Sequence, residues 1–298
     1  STPYIYSATA YAAHSADILR RTAYILGKTD DEKRYTELFE NIKRAFNDAW
    51  VNDDGSVSYY GEVSSQTAHC GESVALDGSV TRYTYYAENT PHCPSQTAYA
   101  LAVDFDLIPT DKLKNTREYF KNSILRNNCK LTVGFLGISH LAPALSKVGL
   151  DDVAFKLLEQ EDNPSWLYSV KNGATTIWER WNSYIAETGT FGDVSMNSFN
   201  HYSYGAIGQW FFTDILGICP VEFGYKSFML SPKFGGGLTY AKGSFTSPYG
   251  KISSAWKLHD GKFTYDCTVP TNTTATLKLP NGDIHTLVGG SYHFEINV

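Results

Sequence analysis

The sequence lacks three features that would each point to a distinct class of protein. It has no apolar run approaching the roughly 18 residues that a membrane-crossing helix needs, so no membrane partner is expected. It has no excess of basic residues; its net charge of −6 argues against a nucleic-acid partner. It also has no glycine-rich phosphate loop or nucleotide fingerprint, so no cofactor is expected.

Cysteine is scarce as well. Five cysteines, an odd number, do not make a disulfide framework. The pairs His69-Cys70 and His92-Cys93 could supply four zinc ligands, but they lack the CxxC spacing typical of such sites. Ordinary thiols, or a single disulfide, are the favoured interpretation of these pairs.

The first residues have no basic region ahead of an apolar core, so they do not resemble a signal peptide. A start at Ser1 suggests a trimmed chain or an internal fragment, although removal of an initiator Met before Ser is equally allowed. The single glycosylation sequon at Asn272 is too little to place the protein outside the cell. A cytoplasmic location is slightly favoured.

Aromatic residues, by contrast, are abundant. They make up 14% of the chain, with 21 Tyr, 16 Phe and 6 Trp. Such rings fill hydrophobic cores, because each buries a large area and tolerates a polar tip at the surface. They also line sugar-binding clefts, where the apolar face of a pyranose stacks on a flat ring. Composition alone does not separate these two uses.

Helical periodicity dominates up to about residue 218. Apolar residues at three- and four-residue steps, with turn signals between them, predict paired antiparallel helices and hence an α/α toroid. The predicted stretches are Tyr4–Leu26, Asp30–Trp50, Ser95–Phe105, Asp111–Asn127, Gly134–Val148, Asp151–Gln160 and Asn200–Leu216.

The pattern changes after residue 218 to short apolar-polar alternations separated by turn residues, which predicts an antiparallel β-sandwich. We therefore predict two domains, residues 1–218 and 219–298. The predicted strands are Lys226–Ser231, Leu238–Phe245, Lys251–Leu258, Phe263–Val269, Ala275–Leu279, Ile284–Leu287 and Tyr292–Ile296.

Residues 61–93 fit neither pattern. This segment is rich in Ser, Thr, Gly and Tyr and lies between two copies of Ser-Gln-Thr-Ala, at 65–68 and 95–98. Long loops of this kind are usually functional or inserted. We interpret the segment as a loop-like insertion, although chance repetition of four common residues also explains the two copies.

One carboxylate, Glu179, stands among the aromatic residues of 164–218. The preceding Gly173–Thr176 run is not helical in character, so Glu179 is expected in a loop or at a helix entrance. A carboxylate framed by indoles suits glycoside hydrolysis, which needs one acid and one base. The alternative is that Glu179 only pairs with Arg180 or another surface cation. The tryptophans nearest to it in sequence are Trp166, Trp178 and Trp181.

Several segments carry a more specific resemblance. GATTIWERW, MNSFNHYSYGAIGQW and the run from Gly224 to Trp256 resemble the inverting α-L-rhamnosidases of glycoside hydrolase family 78. LTVGFLGISHLAPAL, LLEQEDNPSWLYSV and VPTNTTATLKLP resemble the same family, in the same order. The likeness covers nearly the whole chain except residues 61–93.

The resemblance implies an (α/α)6-barrel followed by a β-sandwich, acting on a rhamnose-containing glycoside or oligosaccharide. It implies that Glu179 is the general base and that His201 lines the rhamnose subsite. Trp178, Trp181 and Trp166 are placed near that pocket. The alternative to the role of His201 is a hydrogen-bonded core histidine.

The sequence also departs from the family. The general acid of the family lies on an Asp-Gly-Pro motif followed by Arg and an acid-rich stretch, which is missing from these 298 residues. A six-pair barrel needs about a dozen helices, more than the sequence predicts. The chain thus resembles the C-terminal part of a rhamnosidase, whose upstream part would be its partner.

If the acid is instead within the chain, Asp193 and Glu187 are the candidates. Two other functions stay open from the sequence. One is a non-catalytic carbohydrate-binding fragment, and the other is a different (α/α)-barrel enzyme such as a lyase or another glycosidase.

Overall fold

The computed structural model of the chain describes residues 2–58, 94–192 and 195–298, and it describes the backbone alone of residues 69–74 and 80–85. Packing divides the chain into two compact units, Ser1–Ser123 and Ile124–Val298. The domain boundary expected near residue 218 stays a prediction. Within the described ranges, every helix is too short or too polar to cross a membrane.

Helices are the main regular structure of the described residues up to 215, as predicted. The helices predicted before residue 160 are confirmed to within a few residues. The observed bounds are α1 (Tyr4–Ile25), α2 (Thr29–Trp50), α3 (Gln96–Asp104), α4 (Leu113–Leu125), α5 (Phe135–Lys147), α6 (Asp151–Leu158), α7 (Trp166–Lys171) and α8 (Ile207–Trp210).

The single helix predicted over Asn200–Leu216 is wrong in detail. The chain forms a 3-10 turn at Ser203–Ala206, the short helix α8, and a π-helix at Phe211–Ile215. The wider π turn is closed by a 2.9 Å hydrogen bond from the Leu216 N–H to the Phe211 carbonyl. His201 is held outside the helix because its N–H donates to the Ile177 carbonyl of another loop, described below.

In the first unit, α1 packs against α2 through one face of small residues and one large ring. The Tyr6 ring lies 4.9 Å from that of Phe46, and both side chains are fully buried. The Tyr6 hydroxyl donates to the carbonyl of Ala98 at 2.9 Å, which fastens α3 to the pair. Ser95 caps α3 by accepting the Ala98 N–H.

Part of the segment expected to be a loop is a β-hairpin. Strands β1 (His69–Val74) and β2 (Val80–Tyr85) pair antiparallel, with His69 opposite Tyr85. The prediction of a wholly loop-like insertion is therefore wrong for these two strands. The Val, Thr and Tyr residues of β2 favour extended backbone. The His69, Cys70, His92 and Cys93 side chains lie outside the described residues.

A small hairpin of β3 (Tyr184–Ile185) and β4 (Thr190–Phe191) precedes a β-sandwich formed by the last eighty residues. The strands of the sandwich are β5 (Ile218–Pro220), β6 (Ser227–Leu230), β7 (Tyr240–Ser247), β8 (Gly250–His259), β9 (Lys262–Val269), β10 (Thr274–Lys278), β11 (Ile284–Leu287) and β12 (Gly290–Asn297). They form two four-stranded sheets, ordered β11-β10-β6-β5 and β12-β9-β8-β7. Alternate residues of β9 are buried, which is the period-2 pattern expected of a half-buried strand. The pairing of β6 with β10 is parallel, a departure from the predicted antiparallel sandwich.

An ion-pair network joins the helical and sheet elements of the second unit. The Lys233 ammonium lies 2.8 Å from Asp151 on α6 and 2.9 Å from Asp214 in the π-helix. Burial lowers the pKa of Lys233, but hydrogen bonds and attraction from the two carboxylates outweigh it, and the pKa is raised. Lys233 therefore holds its proton more tightly in the folded protein than in the unfolded chain.

We expect Lys233→Met to lower the free energy of unfolding by about 1–3 kcal/mol near neutral pH, because it leaves two carboxylates uncompensated. Since its folded pKa is raised, the stabilisation by Lys233 is complete below the unfolded pKa and is lost as pH rises through the folded pKa. Urea unfolding at pH 7 and at higher pH measures both effects.

Lys262→Met is the matched control. Lys262 pairs with Glu295 at the surface, where both side chains are about half exposed, so its loss should cost less than about 1 kcal/mol. Equal effects of the two variants would contradict the stabilising role of Lys233.

Candidate active site

The candidate carboxylate lies on a loop, as predicted. Residues 172–183 connect α7 to β3 without helix or strand. Ser165 caps α7 by accepting the Tyr168 N–H, and the chain turns out of the helix at Gly173, where φ is +82°. Glu179 is buried, with 7% of its surface exposed. A surface ion pair therefore does not describe its environment.

The loop of Glu179 is hydrogen-bonded along its length to the loop of His201. The Glu179 N–H donates to the Ser198 carbonyl at 2.8 Å, and the His201 N–H donates to the Ile177 carbonyl at 2.8 Å. The Thr176 hydroxyl donates to the Phe199 carbonyl. These bonds hold GATTIWERW and SFNHY, separated in sequence, as one site.

The Glu179 carboxylate is itself part of this pairing. Its Oε2 accepts the Ser198 N–H at 2.7 Å, so Glu179 and Ser198 exchange two hydrogen bonds. A charge-assisted bond of this length restricts the carboxylate to one orientation. Gly205 packs close behind the loop, and a Cβ there would lie 3.3 Å from Ile177 Cγ1.

Charges of both signs act on the tyrosine next to the carboxylate. Burial raises the pKa of Tyr204, the positive charge of Arg180 lowers it, and the negative charge of Glu179 raises it. Arg180 is oriented by its Nε, which donates to the Met196 carbonyl at 2.8 Å. The backbone N–H of Arg180 donates to the hydroxyl of Ser183, a fully buried residue. The site thus combines a carboxylate, a guanidinium and a phenol.

Two of the candidate tryptophans form one wall with Tyr204. Trp181 stacks on Tyr204 with ring centroids 3.7 Å apart and planes 3° apart, and Trp166 meets Trp181 edge-on at 5.5 Å. Both indole N–H groups are satisfied by backbone carbonyls, Trp166 by Tyr204 and Trp181 by Val133. Their rings are therefore fixed, and both side chains are partly exposed.

Trp178 has different surroundings. Its ring packs edge-on against Phe199 at 5.2 Å, and only 6% of the residue is exposed. Trp178 is therefore a buried part of the loop that carries Glu179. Its contact with substrate stays a prediction.

His201 lies between two rings. Phe135 stacks on it at 5.0 Å with planes 17° apart, and Tyr202 stacks on it at 5.2 Å with planes 15° apart. Its Nδ1 accepts the Ser203 N–H at 3.3 Å. In the neutral ring the proton then lies on Nε2. The histidine is half-buried, and what it can offer a ligand is the Nε2–H at its edge.

Of the two alternative general acids, Glu187 and Asp193, the structure describes only Glu187. Glu187 is exposed in the turn between β3 and β4, where its Oε2 lies 3.5 Å from the Tyr168 hydroxyl. Asp193 lies outside the described residues. In the ranges that the structure describes, no three His, Cys, Asp or Glu side chains cluster as metal ligands.

Three residues of this site received no role from the sequence analysis. Ser198 acts through its backbone N–H, which leaves no trace in residue type. Tyr204 and Phe135 belong to the recognised motifs, but the pairing of Phe135 with His201 joins positions far apart in the chain. No local signal predicts such a contact.

Comparison with known proteins agrees with these motifs. The model of the bacterial alpha-L-rhamnosidase 6 hairpin glycosidase domain matches residues 1–215, and that of the bacterial alpha-L-rhamnosidase C-terminal domain matches residues 217–294. An alpha-L-rhamnosidase of Streptomyces avermitilis is 38% identical over 94% of this chain and 24% of its own length. One of Formosa agariphila is 35% identical over 94% of this chain and 26% of its own length.

A solved structure leads to the same family. The Streptomyces avermitilis alpha-L-rhamnosidase complexed with L-rhamnose matches with a TM-score of 0.81 and 34% identity, covering 97% of this chain and 26% of that one. The chain therefore spans about a quarter of the length of the curated relatives it matches. Its helices and sandwich are those of an (α/α) toroid domain followed by a β-sandwich domain. The chain belongs to the bacterial alpha-L-rhamnosidase family.

Proposed function

We propose that this chain takes part in the inverting hydrolysis of terminal α-L-rhamnose from rhamnosides, and that it supplies the general base. The observation that carries the proposal is the reciprocal hydrogen bonding of Glu179 and Ser198, which holds the carboxylate beside the loop of His201. Membership of the rhamnosidase family supports the substrate class.

In this proposal Glu179 accepts a proton from a water molecule. The water oxygen attacks the anomeric carbon from the side opposite the leaving oxygen, and the glycosidic C–O bond breaks. The leaving oxygen takes a proton from the general acid, so the products are rhamnose of inverted configuration and the free alcohol. Such a mechanism separates the two carboxyl groups by about 6.5–9.5 Å to admit the water.

His201 and the tryptophans would hold the sugar. The Nε2–H of His201 can donate to a rhamnose hydroxyl, because its Nδ1 is already occupied by Ser203. The indoles of Trp166 and Trp181 are fixed by their own hydrogen bonds and can present their exposed apolar surface to the sugar ring. A related enzyme has been solved in complex with L-rhamnose, which supports this choice of sugar.

We place the general acid on residues outside this sequence, since its family motif does not occur in these 298 residues. An acid is needed only when the leaving oxygen is basic. A chain that holds the base alone should therefore hydrolyse substrates whose leaving group departs unprotonated. This property separates the proposal from a chain that carries both groups.

The test compares two substrates on the 298-residue chain. We expect measurable hydrolysis of α-L-rhamnosyl fluoride, since fluoride departs without protonation, and little or none of an aryl α-L-rhamnoside with a basic leaving group. The loss should correspond to the roughly 10²–10⁴-fold that a general acid contributes. Proton NMR should detect β-L-rhamnose as the first product.

Each alternative gives a different result. Retention of the α configuration would contradict inversion. Ordinary turnover of the unactivated rhamnoside would place the acid within the chain, at Glu187 or Asp193. Saturable binding of L-rhamnose in calorimetry without turnover of the fluoride would favour a carbohydrate-binding fragment.

A further inference from the structure

An exposed tyrosine ends the row of rings at the candidate site. Phe135, His201 and Tyr202 are stacked in that order, with successive centroids 5.0 and 5.2 Å apart and planes within 17° of parallel. Tyr202 is 86% exposed, so most of its ring surface stays open to solvent beside His201.

The exposed ring stands on a fixed backbone. Tyr202 begins the 3-10 turn in helical conformation, with φ −82° and ψ −29°, and its carbonyl accepts the Gly205 N–H at 2.9 Å. The residue before it is held by the bond from the His201 N–H to Ile177. The residue after it donates its N–H to His201 Nδ1. The backbone that carries the Tyr202 ring is therefore held in place by its neighbours.

The same turn holds one buried tyrosine, Tyr204, and one exposed tyrosine, Tyr202. Tyr204 is 7% exposed, whereas Tyr202 is almost fully exposed although it lies two residues away. A single exposed ring is common at protein surfaces. What distinguishes Tyr202 is that it is held parallel to the histidine assigned to the sugar.

We propose that Tyr202 is a specificity-determining residue that stacks on the leaving-group side of the substrate, the unit joined to the terminal rhamnose. The fitting ligand has a flat apolar face at this place, either an aromatic ring or the apolar face of a second pyranose. This inference rests on the proposed function, because it takes the edge of His201 as the rhamnose contact.

Calorimetry with uncleavable ligands tests the inference on the 298-residue chain. The ligands are L-rhamnose, an S-linked aryl α-L-rhamnoside and an S-linked α-L-rhamnosyl glucoside. We expect at least one S-linked ligand to bind more tightly than rhamnose. Tyr202→Ala should reduce that advantage by about threefold to tenfold, the value of an aromatic stacking contact. Tyr202→Phe should retain it, since the ring is kept.

Tyr240→Ala is the matched control. Tyr240 is a 62% exposed tyrosine on β7, and its removal should leave the advantage unchanged. If Tyr202→Ala reduces the affinity advantage of the aryl ligand alone, Tyr202 stacks on an aromatic ring. If it reduces that of the glucoside alone, Tyr202 stacks on a pyranose. Either result supports the inference.

The inference and the proposed function fail differently. It is overturned if the wild-type chain binds rhamnose with no advantage for either S-linked ligand. It is also overturned if Tyr202→Ala leaves that advantage intact, or weakens rhamnose and the S-linked ligands equally; the proposed function survives all three results. If the wild-type chain binds none of the ligands, the rhamnose subsite is absent and both are overturned.

Discussion

Glu179→Gln is expected to lower the rate of hydrolysis of α-L-rhamnosyl fluoride by at least about 10²-fold, the lower end of what a general base contributes. The amide has the shape of the carboxylate and keeps an oxygen to accept the Ser198 N–H, which Oε2 accepts at 2.7 Å in the wild type. The fold and the loop pairing should therefore persist. What the amide lacks is the ability to take a proton from water.

The fluoride makes this test independent of the acid. Glu187→Gln is the control, because Glu187 is exposed on a hairpin turn and should alter the rate by less than about twofold if it has no part in activating water. Circular dichroism and the binding of L-rhamnose by Glu179→Gln report on folding and on the sugar site. A rate above a tenth of the wild type in a folded Glu179→Gln chain would exclude Glu179 as the base.

The helices could be predicted because their signals are local. The apolar steps of α1 run from Tyr4 and stop at Gly27, which adopts φ +63° just beyond the observed end at Ile25. The strands of the sandwich followed from period-2 alternation and turn residues for the same reason. The parallel pairing of β6 with β10 could not be predicted, because it depends on how the chain passes between the sheets.

Two helical segments were not predicted correctly from apolar periodicity. The short helix α7 spans Trp166–Lys171 and is too short to show a repeating apolar face, although its cap, Ser165, and Gly173 beyond its end mark its limits. The stretch after Asn200 looks helical in composition, yet the His201 N–H is committed to Ile177 and the Ser203 N–H to the histidine ring. Tertiary hydrogen bonds there override the local preference.

The candidate site shows the same division. The loop position of Glu179 could be inferred from the Gly173–Thr176 run, and the structure confirms it. The ring against which each indole packs, Tyr204 for Trp181 and Phe199 for Trp178, could not be inferred. Neighbouring indoles of a loop have no fixed period, so their directions follow from packing alone.

The largest expected loss of stability is at Gly217, where the helical chain enters β5. Three successive carbonyls there are bonded to the sandwich. Trp256 Nε1 donates to Ile215 at 2.8 Å, the Ser254 hydroxyl to Leu216 at 2.6 Å, and the Ser231 N–H to Gly217 at 2.9 Å. A Cβ on Gly217 would lie 2.1 Å from the Ser231 carbonyl carbon, so the backbone would have to move and these bonds would be strained together.

Gly217→Ala should therefore lower the free energy of unfolding by more than about 4 kcal/mol, a loss typical only of severe core or backbone disruption. Urea unfolding measures it. Gly149→Ala separates the causes. Gly149 has the same φ of +71° as Gly217, but a Cβ there meets nothing within 4 Å. Its variant should lose only the roughly 1–2 kcal/mol of left-handed backbone strain. Equal losses at the two positions would show that backbone conformation, rather than the close approach of Ser231, makes glycine necessary at Gly217.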